Sequence, residues 1–123
     1  MLTARQQRGQ RAEELAAEFL RSAGCEILRC NYRRRAGELD IVARSNGVLV
    51  IAEVRTRTSS TYGGAAASVS RAKQRRITRA ASQLLQGSRE LALLPVRFDV
   101  LVVSDPYGAS PAIEWIQHAF EAC

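Results

Sequence analysis

The sequence predicts a single α/β domain of element order αβββαββ, a mixed five-stranded sheet flanked by helices. Three observations predict it: two segments with a helical apolar period and a glycine stop, β-type runs between and after them, and an Asn-Gly pair that reverses the chain between two of those runs. With 123 residues and 46% hydrophobic content, the chain is long enough for one core and too short for two.

From Ala4 to Ala23, apolar residues at Ala12, Leu15, Ala16, Phe19, Leu20 and Ala23 repeat as on an amphipathic helix, and Gly24 supplies the stop. Ile27, Leu28 and Tyr32 mark residues 25 to 34 as a strand. Residues 38–43 and 48–54 are two β-type runs around Ser45-Asn46-Gly47; Asn-Gly favours a two-residue type I′ turn, so they form a hairpin. Residues 56 to 68 are small and polar, a loop beside that hairpin. A second helix is predicted from about Ser68 to Gln86, with Val69, Lys73, Ile77, Ala80, Ala81, Leu84 and Leu85 on its inner stripe and Gly87 as stop. Pro95 opens a strand over 96–103, Asp105-Pro106-Tyr107-Gly108 is a turn, and a short strand over 112–117 precedes an apolar tail.

The opening residues lack the apolar run of a secretory signal, and no stretch is long enough to span a bilayer, so a cytosolic protein is expected. Cys25, Cys30 and Cys123 have no CxxC spacing, and His118 is the sole histidine, which argues against a disulfide framework or a zinc cluster. A net charge of +6 and a pI near 10.0 make nucleic acid the first candidate partner, although a composition so rich in arginine also arises from codon bias. The single lysine is Lys73.

If Asn46 and Gly47 are the turn, Asp40 lies opposite Glu53, their Cβ atoms about 4.5–5.5 Å apart, and Glu38 lies opposite Arg55. The alternate face reads Leu39, Ile41 and Ala43 against Val50, Ala52 and Val54, wholly apolar. Two facing carboxylates in apolar surroundings repel, and a divalent cation, a shared proton or an arginine would offset that repulsion. Magnesium suits such a pair, since it takes oxygen ligands, keeps several waters and needs only one or two protein carboxylates.

Gly-Glu-Leu-Asp-Ile-Val-Ala (37–43) followed by Glu-Val-Arg-Thr-Arg (53–57) resembles the catalytic strands of the PD-(D/E)xK nuclease superfamily. The chain more closely resembles the YraN family of bacterial proteins, related to archaeal Holliday-junction resolvases. The further motifs are Gly9 with residues 12–16, Asn31-Tyr32-Arg33, Tyr62-Gly63, Val69 with Lys73, Ala80 with Leu84, and residues 97–100. The resemblance implies a restriction-endonuclease-like fold and Mg2+- or Mn2+-dependent hydrolysis of nucleic acid, with Asp40 and Glu53 as metal ligands and Glu13 as an accessory acid. It also suggests DNA, branched DNA included, as substrate, and a homodimer by analogy with enzymes that cut two strands.

One departure stands out. Arg55 occupies the position usually held by the catalytic lysine, and an arginine cannot act as general base. Lys73 is the candidate replacement, because it lies on the inner stripe of the second helix; the alternative is that it snorkels to water. Arg33, Arg34, Arg57, Arg71, Arg75, Arg76 and Arg79 are the candidate phosphate contacts. Two rivals remain, a non-catalytic nucleic-acid-binding module and a protein-interaction domain on the same fold.

Overall fold

Thr3 opens the first helix with a reciprocal cap: its Oγ1 accepts from the Gln6 N–H at 3.1 Å, while the Gln6 side-chain oxygen accepts from the Thr3 N–H at 2.9 Å. The helix that follows, α1 (Ala4–Ser22), buries Ala12, Ala16, Ala17 and Leu20. In the computed structural model, residues 1–57 and 68–123 are described. The loop expected over 56 to 68, with Tyr62 and Gly63, lies outside the described residues except at its two ends.

After α1 come β1 (Glu26–Arg34), β2 (Gly37–Ser45), β3 (Val48–Arg57), α2 (Arg71–Gln86), α3 (Arg89–Ala92), β4 (Val96–Ser104) and β5 (Ala112–Phe120). The strands lie in the sheet in chain order, antiparallel except for the parallel β3–β4 pair that α2 bridges. This is the predicted mixed five-stranded α/β sheet, with two local differences. A single-turn helix, α3, forms where Ser88 accepts from the Leu91 N–H at 3.2 Å. The final strand runs on to Phe120, whose ring stacks on Phe98 at 5.1 Å, so the first half of the expected apolar tail is strand.

The helices cover opposite faces. Ala12, Ala16 and Leu20 of α1 pack on Ile41, Ala43, Val50, Ala52, Leu101 and Val103, while Ile77, Ala80, Ala81 and Leu84 of α2 pack on Val42, Leu49, Ile51 and Phe98. Burial on both faces explains why residues 49–52 and 100–103 read as continuous apolar runs without alternation. Among the described residues, no helix is long and apolar enough to cross a membrane.

One carboxylate lies inside this core. Asp99 is fully buried on β4 and accepts four hydrogen bonds: from Arg97 Nε at 2.8 Å and Nη2 at 2.9 Å, from Trp115 Nε1 at 2.9 Å, and from the His118 backbone N–H at 3.0 Å. The last two partners are on β5, so Asp99 ties that edge strand to β4 across the register break between Phe98 and Val100.

The β1–β2 turn is pressed against α2. A Cβ at Gly37 would stand 2.7 Å from the Arg76 carbonyl oxygen, a backbone atom that cannot swing aside. Gly37→Ala is therefore expected to destabilise the fold by about 1–3 kcal/mol, the usual cost of overpacking. Urea denaturation checks this, and a midpoint equal to wild type would mean that the turn and helix separate freely.

Candidate functional site

The β2–β3 hairpin follows the register set by its turn. Asn46 and Gly47 have φ 50° and 77°, both left-handed as a type I′ turn requires, and the pairs run from Ser45↔Val48 to Ile41↔Ala52. The next pair in that register is Asp40 with Glu53, and the ladder ends just before it. Beyond this point β2 stays paired with β1 down to Gly37, and β3 stays paired with β4 out to Arg57. The sheet thus forks, and Asp40 Oδ2 bridges the fork by accepting from the Val54 N–H at 2.9 Å. Leu39 shows the departure from register: it packs with Tyr32 and Ile77 on the α2 side, where strict alternation would place it with Ile41 under α1.

The carboxyls of Asp40 and Glu53 are in hydrogen-bonding contact at the fork. Glu53 is 5% exposed, and its Oε1 lies 2.8 Å from Lys73 Nζ. Burial first, and then the charge of Asp40, push the Glu53 pKa up to about 7, against the lowering effect of Lys73. Burial also raises Asp40, although the Val54 N–H opposes it. Both shifts run toward protonation, so the pair resists double ionisation while no cation is bound. Of the two alternatives for Lys73, the inward one is realised: Ser70 Oγ accepts from the Lys73 N–H at 3.1 Å, fixing the first turn of α2 so that the amine meets Glu53.

Around this triad lies a cleft of about 840 Å³, lined by Arg5, Arg8, Glu13, Glu38 and Arg55 together with Asp40, Glu53 and Lys73. Glu13 is half-buried, and its pKa is raised by desolvation and then by Asp40, while a hydrogen bond with Asn31 pulls it down. Asn31 has φ 54°, a left-handed conformation that asparagine tolerates better than most residues. Glu38 makes an ion pair with Arg33, its neighbour on β1, at 3.4 Å.

A second cleft of about 390 Å³ shares Glu38 and Lys73 with the first and adds Arg33, Arg34 and Arg76. Three of the seven arginines singled out in the sequence thus border the site. Arg71, Arg75 and Arg79 are exposed on α2, and Arg57 is half-buried at the end of β3; none of these four lines either cleft. Arg5 and Arg8 were not anticipated. The signal was in the spacing, because Arg5, Arg8, Gly9 and Glu13 follow i, i+3, i+4, i+8 and continue the Glu13 side of α1 toward its start.

Among the described residues, no three His, Cys, Asp or Glu side chains converge closely enough to hold an ion by themselves. The donor set suits a hard cation that brings its own waters: two adjacent carboxylates, oxygen atoms only, with an open polar cleft in front.

The profile of the Uncharacterised protein family UPF0102 matches residues 12–103. The chain is 46% identical over 114 residues to the UPF0102 protein of Alkalilimnicola ehrlichii, which covers 93% of this chain and 86% of that protein. It is 43% identical over 122 residues to that of Xanthomonas euvesicatoria pv. vesicatoria, covering 99% and 98%, and 44% identical over 119 residues to that of Cupriavidus taiwanensis, covering 96% and 86%. Matches of this extent, over the motifs that build the fork and its cleft, show that the chain belongs to the UPF0102 family, the family of the YraN resemblance.

Proposed function

We propose that the forked cleft is a metal-dependent, endonuclease-like site that hydrolyses phosphodiesters in nucleic acid, with DNA the favoured polymer. The observation that carries this reading is two touching carboxyls, Asp40 and Glu53, with a lysine amine 2.8 Å from one of them, in a cleft whose rim is arginine. Asp40 and Glu53 would hold a magnesium or manganese ion, which when bound polarises a phosphate oxygen and lowers the pKa of a coordinated water.

The chain's own residues do the rest. Lys73 holds Glu53 in place and presents positive charge to a phosphate drawn into the cleft. Arg55 supplies charge and hydrogen bonds but takes no proton. Glu13, beside Asp40, is the group available to accept a proton from a water on the α1 side, because its raised pKa makes it a better base than an ordinary glutamate. Arg33, Arg34 and Arg76 in the adjoining cleft seat the backbone on the other side of Lys73. Arg57, Arg71, Arg75 and Arg79 act at longer range through the positive field.

Arg55 in the lysine position also favours a second reading, a nucleic-acid-binding module without turnover. One experiment separates the two: cleavage of branched, single-stranded and duplex DNA across a magnesium or manganese titration, with wild type, Asp40→Asn and Glu53→Gln. Hydrolysis reads out as metal-dependent cleavage that falls about a hundredfold or more in both variants, several kcal/mol of transition-state stabilisation. Salt-sensitive binding with no cleavage at any metal concentration would instead establish the module.

A further inference from the structure

We propose that Tyr107 and Arg8 form a subsite for one unpaired nucleotide at the mouth of the carboxylate cleft, so that the polymer bound there is single-stranded where it leaves the site. This rests on the reading of the cleft as a nucleic-acid site. Arg8 connects the two regions: it lines the carboxylate cleft and also a smaller one of about 280 Å³ formed by the turn after β4, with Pro106, Tyr107 and Gly108. A strand whose phosphate lies at Asp40 and Glu53 and whose backbone passes Arg8 is thereby led to Tyr107.

Tyr107 is built as a platform. It is 64% exposed, among the few large apolar side chains that face solvent in the described residues. Its ring is nevertheless held at its far end, because the hydroxyl donates to the Gln7 carbonyl oxygen of α1 at 3.0 Å. The turn beneath it is fixed as well. Asp105 is left-handed with φ 48°, its N–H donates to the Arg57 carbonyl at 3.2 Å, the Gly108 N–H donates to the Asp105 carbonyl at 2.8 Å, and Pro106 is buried. A core aromatic would be covered, and an incidental surface tyrosine has no need of an anchor to a neighbouring helix. An immobilised, exposed ring beside an arginine that faces a phosphate site is the arrangement that binds a base by its π-face, tolerant of sequence because every base has one. A duplex keeps its bases stacked inward and offers that ring nothing.

The test is fluorescence anisotropy at low salt without divalent metal, using one short DNA oligonucleotide as a single strand and as a duplex. Tyr107→Ala is expected to weaken single-strand binding about tenfold or more and to leave duplex binding within about twofold of wild type. Tyr107→Phe, which keeps the ring and loses only its tether to Gln7, is expected to bind the single strand with an affinity between those of Tyr107→Ala and wild type, and to bind duplex like wild type. Arg8→Ala is expected to weaken both forms and to lower the salt dependence by about one phosphate contact. Equal loss of both forms in Tyr107→Ala, or loss of neither, would overturn the subsite while leaving the cleft's assignment standing. Selective single-strand loss without any metal-dependent cleavage would support the subsite and sink only hydrolysis, and failure of the wild type to bind either form would remove both.

Discussion

Replacing Asp99 with alanine is expected to lower the stability of the fold by about 3–5 kcal/mol, the usual consequence of removing one member of a buried ion pair. Four donors converge on its two oxygens, and in the alanine variant the Arg97 guanidinium, the Trp115 indole N–H and the His118 N–H all lose their acceptor. Asp99→Asn is the sharper test. It preserves volume but offers one oxygen where two are used, and sets an NH2 against donors, so it is expected to lose most of the same energy. Urea denaturation of the two variants measures this. An asparagine variant as stable as wild type would show that Asp99 is held by packing and not by its hydrogen bonds. The adjacent Arg97 and its partner are two residues apart on β4 and therefore on one side of the sheet, the side that also carries Trp115 under α1. Glu53 faces the other side, toward α2 and Lys73. The Asp99 network therefore serves architecture, and mild changes there are expected to reach the cleft only by loosening β4.

These two carboxylates show what the sequence could reveal and where it stopped. The type I′ turn at Asn46-Gly47 fixes the register locally, so the approach of Asp40 to Glu53 follows from counting residues outward. The helix stripes follow from periodicity, and Lys73 was legible because a lone lysine on an apolar stripe needs an anion. The fork was hidden. Nothing in residues 37–41 announces that Asp40 exchanges a ladder position for a side-chain bond to the Val54 N–H, because that depends on β1 holding one strand while β4 holds the other. The same non-local pull sends Leu39 to the α2 core. Arg8 and Tyr107 were illegible as partners because 99 positions separate them in the chain, and only the docking of the β4–β5 turn on α1 brings them to one cleft.

The second large effect lies in the acid pair itself, and its sign follows from linkage. Glu53 ionises near pH 7 when folded against an ordinary value of 4.5, so the folded protein holds the extra proton throughout that interval. Stability from this group is therefore fully present below about pH 4.5 and is lost as pH rises through 7, a fall of about 3 kcal/mol for a shift of this size. Asp40 and Glu13, both raised by burial, act in the same direction. Metal-free protein is accordingly expected to melt lower at pH 8 than at pH 5.5. In Asp40→Asn, whose amide oxygen still accepts from the Val54 N–H, the drop is expected to shrink because Glu53 loses its like-charged neighbour. At the proposed site magnesium would bind the doubly ionised pair, so it is expected to raise the melting temperature more at pH 8 than at pH 5.5, and to do so far less in Asp40→Asn. Thermal denaturation at both pH values, with and without magnesium, distinguishes the two origins of the acid pair. A pair kept for architecture, neutralised by Lys73 and a trapped proton, would show the pH dependence with no response to the ion. A site that carries the proposed chemistry must show both, because the electrostatic cost stored at the fork when the ion is absent is the same quantity that drives the ion in.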